Sequence, residues 1–137
     1  MQIAASNADE GRQPTSARYL RLARELGFWL LGKRLRFRAS GTSMEPTFSA
    51  GDHLLVERLS TATRRLCVGE VVVARHPQVA RTLVIKRVGR CGPGSVWLAS
   101  DNARCGTDSR QFGPVMISDV VGRVTASIGR EGRARVH

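Results

Sequence analysis

The sequence predicts a mainly β protein, an antiparallel sheet domain preceded by one short helix. Two observations point there. Six short segments rich in valine, leucine and isoleucine recur from residue 35 onward: Leu35–Ala39, His53–Glu57, Glu70–Arg75, Thr82–Arg87, Ser95–Ala99 and Asp119–Thr125. Clusters of Gly, Pro, Asp and Ser separate them. The connections are too short for crossover helices, which favours antiparallel pairing over an α/β arrangement.

A helical period is readable only in Ala17–Gly32. Tyr19, Leu20, Leu22, Ala23, Leu26, Trp29 and Leu30 recur at roughly helical spacing, with Arg18, Arg21, Arg24 and Glu25 largely elsewhere. Two readings stay open: a helix packed on its own domain, or a basic amphipathic helix in weak peripheral contact with anionic lipid. The uncharged run Leu26–Gly32 is far shorter than the ~20 residues of a bilayer span. Lys33-Arg34-Leu35-Arg36 follows it, where a secretory leader would carry a small-residue cleavage site. The expected organisation is a helical segment and leader over 1–34, a β domain over 35–127 and a flexible basic tail over 128–137. The expected location is the cytoplasm, peripheral to the membrane at most.

Composition narrows the function classes. The 22 basic and 11 acidic residues give +11, which excludes an acidic activation domain and keeps nucleic acid and anionic lipid open. A non-catalytic nucleic-acid-binding β domain is disfavoured, because the arginines are scattered and 5% aromatic content supplies no stacking platform. Cys67, Cys91 and Cys105 form no CxxC pair and are odd in number, which points to a reducing compartment. His53, His76 and His137 have no zinc-site spacing, so no metal or other cofactor is expected.

The candidate chemistry begins at Gly41-Thr42-Ser43-Met44-Glu45-Pro46-Thr47. Gly41 permits a tight turn and Pro46 fixes the chain just beyond it. Such a turn can present the Ser43 hydroxyl and amide to a substrate oxygen. A serine alcohol needs a base to act as a nucleophile; without one, Ser43 reads as an ordinary turn residue.

Only two of the 22 basic residues are lysines, Lys33 and Lys86. Lys86 lies in Leu83-Val84-Ile85-Lys86-Arg87-Val88. Alternation puts it on one strand face with Val84 and Val88, with Arg87 opposite. An ammonium among apolar groups loses solvation and its pKa falls, as a general base at neutral pH requires. The plain alternative is a lysine that snorkels to solvent from an edge. A third segment carries Asp101-Asn102 and then Thr107-Asp108-Ser109-Arg110-Gln111-Phe112-Gly113-Pro114-Val115. Alone it reads as a structured loop, with Asp108 paired to Arg110 and Phe112 in the core.

Taken in order, the three segments resemble the type I signal peptidases and their relatives, which carry a G-x-S-M-x-P-T serine motif, a v-K-R-v lysine strand and a G-D-N…D-S-R-x-aromatic-G-x-V box. The likeness covers roughly residues 37–125. It implies a Ser/Lys-dyad serine endopeptidase on a coiled antiparallel β fold, with Ser43 as nucleophile and Lys86 as general base. By the same likeness Gly41, Thr42, Met44 and Pro46 support the oxyanion loop. Asp101, Asn102, Thr107, Asp108, Ser109 and Arg110 support the site structurally. Leu54 and Val84, with Met44, are the residues expected at a shallow substrate cleft for an extended precursor peptide. Within the family the chain is most similar to the short proteases that mature nickel-type superoxide dismutase by removing an N-terminal extension; processing of secretory preproteins is the alternative. Three positions depart from the pattern, and one is Gly41, which stands where some bacterial members have a second oxyanion-hole serine. Ser100 replaces the Gly before Asp101, and Gly106 stands where some members place a lysine-contacting serine. Which group orients Lys86 is left open, Thr107 being the substitute in view.

Overall fold

The computed structural model describes residues 15–60 and 65–137. A helix, α1, spans Thr15–Leu30. Strands follow at Arg34–Arg38 (β1), His53–Arg58 (β2), Val71–Arg75 (β3), Leu83–Gly92 (β4), Ser95–Ala99 (β5), Val115–Met116 (β6), Val120–Ile128 (β7) and Ala134–Val136 (β8). One turn of helix, α2, occupies Ser109–Phe112. All pairings are antiparallel, in the order β1-β2-β7-β3-β4-β5-β6, with β8 also against β7. The sheet curls on itself as a half-barrel.

Alternation explains why the curl has two cores. The run Val71-Val72-Val73-Ala74 is buried on both faces of β3. Val71 and Val73 join Ala39, Met44, Phe48 and Leu54 in one cluster. Val72 and Ala74 join Val88, Leu98, Phe112 and Val115 in the other. A strand covered on both sides reads as a continuous apolar run, which is how this segment appears in the sequence.

β2, β4 and β7 extend beyond their expected ends. β4 runs on to Gly92 through a register shift between Val88 and Arg90, so the ladder survives a glycine that reads as a terminator. Residues 129–137, most of the flexible tail expected over 128–137, turn back instead. β8 pairs with β7 through Ala126↔Val136, and the His137 amide donates to the Thr125 carbonyl. The expected leader falls largely on residues 1–14, outside the described residues.

The helix also docks differently from either simple picture. Its buried anchor is Glu25, which accepts from Arg34 Nε at 2.8 Å and Thr125 Oγ1 at 2.7 Å. Tyr19, Leu20, Leu30 and Leu31 are exposed, so most of the apolar stripe faces away from the domain. Among the described residues, no helix is long and apolar enough to cross a membrane.

Candidate active site

Ser43 sits in the turn between β1 and β2. Gly41 adopts φ +76°, a left-handed conformation that an L side chain rarely takes, and this reverses the chain just before the serine. Met44 and Phe48, both buried in the first cluster, pin the turn from below. Asn102 holds it from the side: its N–H donates to the Ser43 carbonyl at 2.9 Å, and its side-chain amide to the Thr42 carbonyl. Ser43 itself remains partly exposed.

Lys86 comes from β4, opposite Val72 of β3 in register. It is only 4% exposed, and its Nζ lies 2.7 Å from Ser43 Oγ. Burial pushes the amine below its ordinary pKa of 10.5, against an opposing pull from the Asp108 and Asp101 carboxylates. The lysine does not snorkel; it points inward at the alcohol.

The third segment builds the wall around this pair. Asp108 caps α2, accepting from the Arg110 amide, while the Gln111 side chain accepts from the Asp108 amide in a reciprocal capping box. Its carboxylate also accepts from the Ser100 amide at 2.9 Å and from the Arg110 guanidinium. Burial alone would raise the Asp108 pKa; these donors outweigh it and hold the carboxyl well below the usual range. Ser109 Oγ accepts from the Leu98 amide, so both residues clamp the end of β5.

Position 106 closes the site. Gly106 has φ +122°, and a Cβ built on it would lie 2.6 Å from the Ser43 Cβ. That is too close for any side chain without movement. Thr107 is exposed and makes no hydrogen bond to Lys86 among the described residues.

Two partners of Asp101, Arg87 and Thr47, escape sequence reasoning. Arg87, adjacent to Lys86, donates to both carboxylate oxygens of Asp101 at 2.8 and 2.7 Å. Asp101 in turn accepts from Thr47 Oγ1, at the far end of the serine turn. Bidentate geometry of this kind fixes orientation as well as charge. The guanidinium beside Asp101 keeps that carboxyl below its ordinary pKa.

A cleft of about 180 Å³ opens beside the pair, lined by Phe37, Ala39, Met44, Val73, Val84 and Ile85, among others. Val84 and Met44, two of the residues expected at a cleft, line it. Leu54 does not. It is 0% exposed, packed in the first core cluster, because β2 is covered on both faces from Leu54 to Val56.

A turn, a strand and a loop of the curled antiparallel sheet thus bring an alcohol against a buried amine. The chain belongs to the Peptidase S24-like family, whose model matches residues 9–125. Its relatives include mitochondrial inner membrane protease subunit 1 of Schizosaccharomyces pombe, 35% identical over 109 residues covering 65% of this chain and 69% of the relative. The mouse protein of the same name is 32% identical over 105 residues, covering 62% and 63%. Subunit 1a of the Arabidopsis thaliana mitochondrial ATP-independent inner membrane protease is 34% identical over 106 residues, covering 61% and 63%. The chain thus spans just under two thirds of the mouse and Arabidopsis proteins. Family and relatives support a protease of signal-peptidase-like type. They do not name dismutase maturation. The expected cytoplasmic location is overturned, since these relatives are named for an inner membrane.

Proposed function

We propose that this protein is a serine endopeptidase that removes an N-terminal extension from a precursor protein, with Ser43 as nucleophile and Lys86 as general base. The contact of 2.7 Å between a buried, desolvated amine and the serine alcohol carries this reading. Neutral Lys86 takes the Ser43 proton as Oγ attacks the scissile carbonyl. The Ser43 amide, which has no acceptor among the described residues, is free to donate to the oxyanion. The C–N bond then breaks, Lys86 returns the proton to the leaving amine, and an acyl ester remains on Ser43. Water attacks the ester with Lys86 again as base, and Ser43 regains its proton as the acid product leaves.

The substrate enters as an extended strand. Among the described residues, Leu83–Ile85 pairs with β3 on one edge only, since β5 begins its ladder at Arg87, and β1 pairs only with β2. Two unpaired strand edges therefore border the apolar cleft. Its small size favours small side chains next to the cut.

The particular substrate proposed is the precursor of a nickel-type superoxide dismutase, on the strength of the motif likeness. The relatives' names favour the second reading, precursors processed at an inner membrane. The protein works at a membrane face in either case. The exposed Tyr19, Leu20 and Leu30 of α1 and Leu31 of the turn after it form an apolar edge, and Arg18, Arg21, Arg133 and Arg135 line a neighbouring cleft. Purified protein is incubated with each class of precursor, and the product's new N-terminus is read by mass spectrometry. A single internal cut that Ser43→Ala abolishes supports the proposal, and the precursor that is cut decides between substrates. No cut in either, or a cut that survives Ser43→Ala, rejects it. Co-sedimentation with phosphatidylglycerol vesicles that Leu20→Glu/Leu30→Glu weakens supports the membrane face; binding unaffected by that change rejects it.

A further inference from the structure

We propose that Ser100 is the positioning residue that orients Lys86, supplying from β5 the hydroxyl that position 106 cannot carry. This rests on the Ser43–Lys86 reading above. An uncharged amine has one lone pair and two N–H groups. To serve as a base its lone pair must face Ser43 Oγ, and its N–H groups then need acceptors, because an unsatisfied buried donor is costly. A hydroxyl beside the amine fixes that rotation.

Gly106 cannot supply one. A side chain there collides with Ser43 at the Cβ. Ser100 can. In the β4–β5 ladder Arg87 stands opposite Ala99. Ser100 follows directly on the last residue of β5, where one further step of the antiparallel register would bring it opposite Lys86. Directly opposed residues put their side chains on the same face, with Cβ atoms roughly 5 Å apart. Lys86 Nζ and Ser100 Oγ each lie 3.6 Å from the Cβ position at Gly106, so both reach the same small space.

The state of that hydroxyl is the second observation. Ser100 is 8% exposed, and its Oγ is buried with no hydrogen-bond partner among the described residues. Its backbone is clamped, since the Ser100 amide donates to Asp108. The side chain is thus a polar group bordering the same space as the amine and used by nothing else among the described residues. A turn about χ1, or a shift of the flexible lysine stem, closes the contact when Lys86 gives up its proton to solvent and accepts that of Ser43.

The chain has two lysines, Lys33 and Lys86. Labelling lysine with ¹⁵N at Nζ therefore gives two side-chain signals, which Lys86→Arg assigns. As an acceptor, the Ser100 hydroxyl stabilises the ammonium more than the amine, so its loss lowers the Lys86 titration midpoint. The expected result is a lower midpoint in Ser100→Ala, recovery in Ser100→Thr, and a matching displacement to lower pH of the acid limb of kcat/KM on whichever precursor is cut. The plateau should fall by about 10–100-fold, in the range of groups that orient a reacting ligand. A midpoint unchanged in Ser100→Ala overturns the proposal. So does a fall in rate that leaves the midpoint in place and that Ser100→Thr does not repair. If Ser100→Ala fails to fold, Ser100→Gly is read by the same criteria. Because the midpoint needs no cleavage assay, this proposal can fail while the dyad stands; the dyad itself fails if Lys86→Arg still cleaves.

Discussion

Arg87 and Asp101 are joined by two parallel hydrogen bonds, Nε to Oδ1 at 2.8 Å and Nη2 to Oδ2 at 2.7 Å. This pair ties β4, one residue beyond the proposed base, to the loop whose next residue, Asn102, holds the Ser43 turn. Thr47 completes the tether from the serine side. The 2.7 Å contact of Lys86 with Ser43 is thus set by a frame of side chains that do not themselves touch the reacting atoms.

Breaking that frame should lower activity through geometry. Arg87→Ala leaves a partly buried carboxylate unpaired and should cost about 2 kcal/mol of stability. Thermal unfolding checks the stability. A kcat loss with little change in KM would place the effect on the alignment of Ser43 with Lys86.

The chemical step should depend on pH in one direction. Burial lowers the Lys86 pKa below 10.5, so the basic form appears at lower pH than for a free lysine. The kcat/KM of cleavage should therefore rise along an acid limb whose midpoint lies below 10.5. Ser43→Ala should remove about 10³-fold or more of the rate at the plateau. Steady-state profiles on the cleaved precursor check both.

The same lowered pKa has a stability consequence. Below the folded-state pKa the buried ammonium destabilises the fold. Between that pKa and the unfolded value of 10.5 the unfolded chain binds more protons, so stability rises with pH, and above 10.5 the penalty is gone. Lys86→Met should therefore be inactive yet more stable at neutral pH, with an advantage that shrinks as pH approaches 10.5. Urea denaturation across pH tests this.

Asp108 works in the opposite sense. Its carboxyl is held low, so its contribution is present above the unfolded value of 3.8 and is lost as pH falls toward the folded pKa. Asp108→Ala removes a helix cap and leaves the Ser100 amide without its acceptor, for a combined loss of about 3 kcal/mol. Urea midpoints at neutral pH measure it.

Gly106 tolerates no Cβ. Gly106→Ala should displace Ser43 or the loop and lower kcat at least about tenfold, in keeping with the penalty for an ångström-scale misplacement. Rates beside melting temperatures separate lost alignment from lost folding.

Much of this was legible in the residues. Apolar runs such as Val71–Ala74 mark strands whatever their partners, and Lys86, one of two lysines in an arginine-rich chain, stands out in an apolar segment. The Ser43–Lys86 pairing was suggested by motif order, because a contact 43 residues apart leaves no local signal. Leu54 was misplaced because alternation cannot tell which face of β2 meets a cleft when both are covered. β8 was invisible because its pairing with β7 depends on a turn at 129–133 with weak strand propensity. The Arg87–Asp101 pair, and the unused hydroxyl of Ser100, exist only once the sheet curls.

The most direct test of the central claim is the titration of Lys86 itself, followed by the ¹⁵N signal of its Nζ in the folded protein. The account predicts a midpoint below 10.5, moved further by changes at Asp108 and Asp101, whose carboxylates hold it up. A Lys86 amine that titrates at or above 10.5 in the folded protein would contradict it, for the nucleophile would then have no base.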